Sequence, residues 1–213
     1  MLLLVDLDNT LVDRRAAYKA WAESRFGESE VRWLVEADRD GYERRETLAA
    51  MIAARYGGDE RQVLTELRAG MVANLAPDPQ VAQVLTDATA AGLVPFVVTN
   101  GTVAQQEAKL RRTGLDRLVA GWTISEGAGV GKPDRRIFEI AAAAAGIRLS
   151  ETGWMVGDSA EKDIGGGHAA GLRTAWVALG RDWPPGLAYR PEITGRTGVA
   201  ALRAVIQDTV GRE

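Results

Sequence analysis

The stretch that decides the fold is Leu2-Leu3-Leu4-Val5-Asp6-Leu7-Asp8-Asn9-Thr10, in a chain of 213 residues. Its first four residues are large and apolar, and acidic residues follow at Asp6 and Asp8. A short apolar run of this kind is typical of a strand buried on both faces, as in a parallel sheet. The run is far too short for a signal peptide or a membrane span. We therefore predict a buried strand over Leu2–Asp6 that carries acids at its carboxyl end.

Four further apolar runs predict strands of the same kind, and helical patterns separate the later ones. The five predicted strands are Leu2–Asp6, Val94–Thr99, Leu118–Thr123, Trp154–Gly157 and Thr174–Leu179. The helical patterns lie at Val81–Ala91, Val103–Arg112, Asp134–Ala145 and Ala160–Ala170. Strands that alternate with helices form βαβ units, so we expect an α/β fold: a parallel sheet with helices on both faces. Glycines follow the helical patterns, as is common at helix ends, at Gly92, Gly114, Gly146 and Gly171.

A long segment after the first strand contains no predicted strand. It reads as four amphipathic helices, near Arg15–Phe26, Glu28–Arg39, Tyr42–Tyr56 and Glu60–Asn74. We expect residues 14–79 to form a helical cap inserted after the first strand, and residues 1–13 and 80–213 to form the catalytic core. An insertion at this point is placed to exclude water from the acidic loop and to set substrate choice.

Polar residues follow four of the predicted strands, and ligands bind at the carboxyl ends of strands in open α/β sheets. These residues are Asp6 and Asp8, then Thr99, Asn100 and Gly101, then Lys132, and finally Asp158 and Asp163. Phosphoryl transfer requires cations and hydrogen-bond donors around a dianionic group, and this set supplies both. Several carboxylates without a nearby histidine or cysteine suit a hard cation, and Mg²⁺ fits best.

Four segments together resemble the ordered motifs of the haloacid dehalogenase superfamily. They are Asp6-Leu7-Asp8-Asn9-Thr10, Thr99-Asn100-Gly101, Lys132-Pro133, and Gly157-Asp158-Ser159 followed by Asp163. The resemblance covers the whole chain, and the helical insertion is similar to the cap of the superfamily's first cap class. It implies a Rossmann-like core and a Mg²⁺-dependent phosphatase that acts on a small phosphorylated metabolite.

The resemblance also implies a role for each matching position. Asp6 would be the nucleophile and a Mg²⁺ ligand, and Asp8 would be the general acid and base, with its backbone carbonyl on the metal. Lys132 would neutralise charge on the nucleophile and the phosphate. The phosphoryl oxygens would be held by Thr99, Asn100 and Gly101. Asp158 would ligate Mg²⁺, with Asp163 beside it or behind it.

Other functions remain open at this point. Dehalogenation of a haloacid is disfavoured by Asp8, because the dehalogenase branch lacks the second acid. Phosphonate cleavage would need a cap lysine that forms a Schiff base, and Lys19 is the one lysine early in the insertion. A sugar phosphomutase would share Asp6 and Asp8 and differ in how well water is excluded. A binding protein without activity would not need both acids.

Composition narrows the remaining classes of protein. The formal net charge of −3 gives no electrostatic reason to expect nucleic-acid or membrane partners. The chain has no cysteine, which excludes disulfides and a cysteine nucleophile and is compatible with a reducing compartment. We expect a cytoplasmic monomer or homodimer.

Overall fold

The computed structural model describes residues 1–150 and 153–211, which divide into two compact units. Unit 1 comprises Met1–Val12 with Pro77–Glu213, and unit 2 comprises Asp13–Ala76. The role of unit 2 as a cap stays a prediction. In the described part of the chain, every helix is too short or too polar to cross a membrane.

Unit 1 is built on a parallel sheet. Its strands are β1 (Leu2–Val5), β2 (Val94–Thr99), β3 (Trp122–Ile124), β4 (Trp154–Gly157), β5 (Arg173–Val177) and β6 (Ile193–Gly195). Their order across the sheet is β3-β2-β1-β4-β5-β6, and all neighbouring strands are parallel. This arrangement confirms the predicted α/β class with a Rossmann-like parallel core.

The helices follow the predicted alternation. Those of unit 2 are α1 (Arg14–Phe26), α2 (Glu28–Asp38), α3 (Arg45–Tyr56) and α4 (Glu60–Ala73). Those of unit 1 are α5 (Pro79–Ala90), α6 (Val103–Thr113), α7 (Ser125–Ala128), α8 (Arg135–Ala144), α9 (Gly166–Ala169) and α10 (Gly198–Val210). Short 3₁₀ turns lie at Arg39–Gly41 and Leu115–Arg117, and a π-helical turn over Ala160–Gly165 precedes α9.

One predicted strand is wrong in its position. The third strand was expected over Leu118–Thr123, but β3 begins only at Trp122. The residues before it run out of the 3₁₀ turn, where Leu118 N–H bonds to Leu115 C=O at 2.9 Å. Gly121 then passes so close to Phe96 that a Cβ there would lie 2.8 Å from the ring. The run thus begins in a turn, and its bonds to β2 start only at Ala120, whose N–H donates to Pro95 C=O at 2.8 Å.

Alternation along β1 explains the core of unit 1. Leu2 and Leu4 share a buried cluster with Phe138 of α8, while Leu3 and Val5 point to the opposite face. On the sheet, α5 packs against β2, and α10 packs against β4 and β5. Both faces of β1 are thus covered, which is why its sequence is apolar without a break.

The register of the central strands sets the position of the site. Val5 of β1 is level with Val97 of β2 and Val156 of β4. The Asp6 N–H continues the ladder by donating to Val156 C=O at 2.9 Å. The strand order reverses between β1 and β4, and ligands of open α/β sheets bind at such a switch point.

Unit 2 has its own buried core. The fully or nearly buried residues come from all four of its helices and include Tyr18, Trp21, Leu34, Leu48, Ile52 and Leu67. The Tyr18 hydroxyl donates to Leu34 C=O at 3.0 Å. Arg14 is buried and forms two hydrogen bonds with Asp38, at 2.8 and 2.5 Å. Asp38 also accepts from Arg45 at 2.7 Å, which further offsets its burial.

Candidate active site

Three buried carboxylates converge at the carboxyl edge of the sheet. Asp6 follows β1, Asp158 follows β4, and Asp163 lies in the π-helical turn after β4. One oxygen from each lies within 4.8 Å of the others. Asp163 is oriented by the Ser159 N–H, which donates to its Oδ2 at 2.9 Å. The sequence predicted these three residues as a group, and the structure brings them together.

Lys132 reaches into this acidic cluster from the loop before α8. Its Nζ donates to Asp6 Oδ1 at 2.6 Å and lies 2.7 Å from Asp163 Oδ1. All three side chains are buried, so water screens the attraction poorly. Lys132 therefore forms ion pairs with an acid that follows β1 and with one that follows β4.

Burial and crowding of like charges perturb the protonation of the cluster. Burial raises the pKa of Asp6 to about 8; Lys132 opposes this rise, while Asp163 and Asp158 add to it. For Lys132, burial alone would lower the pKa, but Asp163 and Asp6 outweigh it and the pKa is raised. The ammonium group of Lys132 alone is therefore not enough to keep all three carboxyl groups of the cluster ionised.

The side chain of Asn100 positions Lys132. Its Nδ2 donates to Lys132 C=O at 2.9 Å, and its Oδ1 accepts from Lys132 N–H at 2.8 Å. The reciprocal pair fixes the backbone that carries the lysine. The contact of Asn100 with phosphate stays a prediction. The next residue, Gly101, has φ of 146°, a conformation that favours glycine.

Asp8 and Thr99 are joined by residues that the sequence did not single out. Lys109 Nζ lies 2.7 and 2.6 Å from the two carboxylate oxygens of Asp8. Gln106 Nε2 donates to Asp8 Oδ2 at 3.1 Å and to Thr99 Oγ1 at 2.8 Å. Both side chains come from α6, and their spacing of three residues on a helix was the one signal that could have paired them.

Asp158 also has a partner that the sequence did not indicate. Arg181 Nη2 lies 3.1 Å from Asp158 Oδ2 and 2.7 Å from its carbonyl oxygen. The same carbonyl accepts from Trp176 Nε1 at 2.9 Å. These bonds hold the backbone of Asp158 and one oxygen of its carboxylate.

The acidic cluster fits a hard divalent cation. Its donors are carboxylate oxygens from Asp6, Asp158 and Asp163, and oxygen donors are the ligands that Mg²⁺ prefers. Burial first, and then the neighbouring Asp163 and Asp158, raise the pKa of Asp6, and a divalent cation at this point would favour its ionised form. The main-chain carbonyl of Asp8 stays a predicted ligand.

A family model for haloacid dehalogenase-like hydrolases matches residues 1–171. The chain belongs to this hydrolase family. The match spans the acidic loop after β1, the residues after β2, Lys132 and the acids after β4, so the haloacid dehalogenase-like assignment and the site rest on the same segments.

Curated relatives of this haloacid dehalogenase-like hydrolase include enzymes that act on phosphate esters. The pyrimidine 5'-nucleotidase YjjG of Escherichia coli (strain K12) is 45% identical over 93 residues, which is 43% of this chain and 41% of that protein. The phosphoserine phosphatase of Thermus thermophilus is 38% identical over 102 residues, 48% of this chain and 41% of the relative. The matched segments thus span about two fifths of these relatives.

The fold also extends to enzymes of other chemistry. The structure of L-2-haloacid dehalogenase from Xanthobacter autotrophicus superposes with a TM-score of 0.76 at 18% sequence identity. The superposition covers 96% of this chain and 97% of the dehalogenase. At this identity the likeness shows a shared fold, and the choice of reaction has to come from the site.

Proposed function

We propose that the protein is a Mg²⁺-dependent phosphohydrolase that cleaves a small phosphorylated metabolite through an aspartyl-phosphate on Asp6. The observation that carries the proposal is the buried Asp6 carboxylate, held by Lys132 beside two further carboxylates. Such a set can hold a cation and a phosphoryl group against one nucleophile. The phosphatase and nucleotidase relatives support the substrate class.

The proposed reaction has two half-steps. An Asp6 oxygen attacks phosphorus, the bond from phosphorus to the ester oxygen breaks, and Asp8 gives its proton to the departing alcohol. Asp8, now a carboxylate, then takes a proton from water, and that water attacks phosphorus to release phosphate and free Asp6. Bound Mg²⁺ would supply charge neutralisation and orientation of the phosphoryl oxygens. Lys132 holds Asp6 in place and spreads its charge.

Asp8 is the residue that separates the proposal from dehalogenation. A haloacid dehalogenase releases halide, which needs no proton from a general acid. Gln106 and Lys109 both donate hydrogen bonds to Asp8, and halide release would not require an acid held in this way. A sugar phosphomutase would use the same pair but pass the phosphoryl group to a second hydroxyl instead of water.

A phosphate-release assay tests the proposal. Wild-type protein with p-nitrophenyl phosphate should release phosphate with Mg²⁺ and lose this activity with EDTA. Asp6→Asn should be inactive, while the matched surface variant Asp87→Asn on α5 should retain full activity. Turnover that persists in EDTA or in Asp6→Asn would contradict the mechanism. Halide release from a 2-haloacid without phosphatase activity would favour dehalogenation.

The physiological ester is then sought in a panel of metabolites. We propose phosphorylated sugars, phosphoglycolate and nucleoside monophosphates as the compounds to compare by kcat/KM. From its place directly after the loop of Asp6 and Asp8, we propose that unit 2 sets the preference. Transfer of phosphate between hydroxyls of one sugar, without free phosphate, would favour a mutase.

A further inference from the structure

A polar bridge on α6 connects the proposed acid–base residue with the proposed phosphate-binding threonine. Lys109 and Gln106 lie one helical turn apart and point the same way. Lys109 contacts both carboxylate oxygens of Asp8, at 2.7 and 2.6 Å. Gln106 contacts Asp8 at 3.1 Å and Thr99 at 2.8 Å. The bridge spans two strand ends, since Asp8 follows β1 and Thr99 ends β2.

Both side chains of the bridge are almost completely removed from water. Lys109 is 4% exposed and Gln106 is 1% exposed, whereas the Asp8 side chain is 23% exposed. Buried partners therefore hold a carboxylate that itself reaches the open site. A buried lysine pays a large desolvation penalty, and a buried ion pair is weak evidence for stability. A contribution to stability therefore does not explain why a lysine is buried at position 109.

The orientation of the Gln106 amide follows from its partners. The carboxylate of Asp8 can only accept, so Nε2 and not Oε1 must face it. The second hydrogen of the same NH₂ group is donated to Thr99 Oγ1. Because Oγ1 accepts from Gln106, the hydroxyl hydrogen of Thr99 remains to be donated to another acceptor. In the proposed reaction, that acceptor is a phosphoryl oxygen.

We propose that Lys109 and Gln106 are positioning residues that hold the Asp8 carboxyl group in line with the departing ester oxygen; this inference rests on the proposed function. Proton transfer requires a heavy-atom separation of about 2.6–3.2 Å, which a side chain with two free torsions does not maintain alone. Two donors from one rigid helix fix both torsions of Asp8. Because Gln106 also bonds Thr99, it fixes the position of Asp8 relative to the proposed phosphate-binding residue.

The dependence of rate on the leaving group tests this inference. A p-nitrophenolate ion departs without a proton, phenol needs some assistance, and the alcohol of glycerol 2-phosphate needs a full proton transfer. The variants are Lys109→Met and Gln106→Leu, with Arg111→Met on the exposed side of α6 as the matched control. For each, kcat/KM is measured on the three esters with Mg²⁺, and thermal unfolding reports whether the fold is intact.

We expect Lys109→Met to lower kcat/KM for glycerol 2-phosphate by roughly 10- to 100-fold, part of what a general acid contributes. For p-nitrophenyl phosphate the loss should stay below about threefold, since little proton transfer is needed. Arg111→Met should match the wild type on all three esters. If Lys109→Met does not fold, Gln106→Leu carries the test, because it removes a donor from the same carboxylate.

A double-mutant cycle on phenyl phosphate isolates the path through Asp8. Adding Lys109→Met to Asp8→Asn should cause no further loss, because the group that the lysine positions is already gone. Equal losses of kcat/KM on all three esters, or losses that multiply in the double variant, would overturn this inference and leave the proposed function standing. A wild-type protein that releases phosphate from none of the esters would overturn the proposed function, and the inference with it.

Discussion

Replacing Asp6 with asparagine should stabilise the protein when divalent cations are absent, and by more at high pH than at low pH. Asp6 is buried beside Asp158 and Asp163, and its pKa is raised to about 8. In the unfolded chain the same carboxyl has an ordinary pKa near 4. Between these two values the native protein binds a proton that the unfolded chain has released, so its stability falls as the pH rises.

The size of the effect follows from the width of this pH window. Each pH unit inside the window removes about 1.4 kcal/mol from the stability of the wild type relative to Asp6→Asn. Between pH 5 and pH 8 the difference should therefore grow by about 4 kcal/mol. For a chain of this length, 1 kcal/mol shifts the melting temperature by about 2–4 °C. The gap in melting temperature should widen on the order of 10 °C.

Thermal unfolding in EDTA at pH 5, 6, 7 and 8.5 measures this gap. Asp87→Asn, which removes an exposed carboxylate on α5, should follow the wild type at every pH. Adding Mg²⁺ at pH 8.5 should then favour the wild type, by about 2.7 kcal/mol at a hundredfold excess over the dissociation constant. Asp6→Asn lacks a charged ligand and should gain less.

A gap between wild type and Asp6→Asn that stays constant from pH 5 to 8.5 would refute this reasoning. It would mean that burial and the neighbouring acids do not raise the pKa of Asp6 in the native protein, or that Lys132 compensates them fully. A gap in melting temperature that narrows as the pH rises would mean that the surroundings lower the pKa of Asp6 instead of raising it.

Two glycines offer sharper structural tests. Gly157→Ala would place a Cβ 2.6 Å from Asp163 Cβ and closer still to its carboxylate, so Mg²⁺ affinity by calorimetry should fall at least tenfold with the fold retained. Unchanged affinity would remove Asp163 from the metal site. Gly70→Ala would place a Cβ 2.8 Å from Trp21 Cγ inside unit 2, and overpacking of this kind should lower stability by about 1–3 kcal/mol in urea. An unaffected unfolding midpoint would show that the indole ring can move aside.

Strands buried on both faces were predicted well from sequence. β2 and β4 match their predicted bounds, and β1 and β5 differ by one or two residues at their ends. The short edge strand β6 was not predicted, because three residues ending in Gly195 carry no periodic signal. Its partner helix α10 was missed with it. The start of β3 was misplaced for a different reason: Leu118 closes a 3₁₀ turn, and an apolar residue at that place looks like the start of a strand.

The acids at the strand ends could be placed because parallel strands end at one edge. Their partners could not. Lys109 and Asp8 lie 101 residues apart in the chain, and Arg181 and Asp158 lie 23 apart. Nothing local distinguishes a lysine that reaches a catalytic loop from one that lies in solvent. Only the fold, which brings α6 beside the loop after β1, makes that distinction.

The two buried lysines divide the charges of the site between them. Lys109 neutralises Asp8, while Lys132 is shared by Asp6 and Asp163. Asp158 is paired with the partly exposed Arg181, so the three acids of the cluster face the cationic groups of Lys132 and Arg181. A phosphate dianion entering beside it would add two more negative charges. A divalent cation would offset the charge of both the cluster and the proposed phosphate substrate, so the proposed cation dependence and the proposed phosphate chemistry are linked.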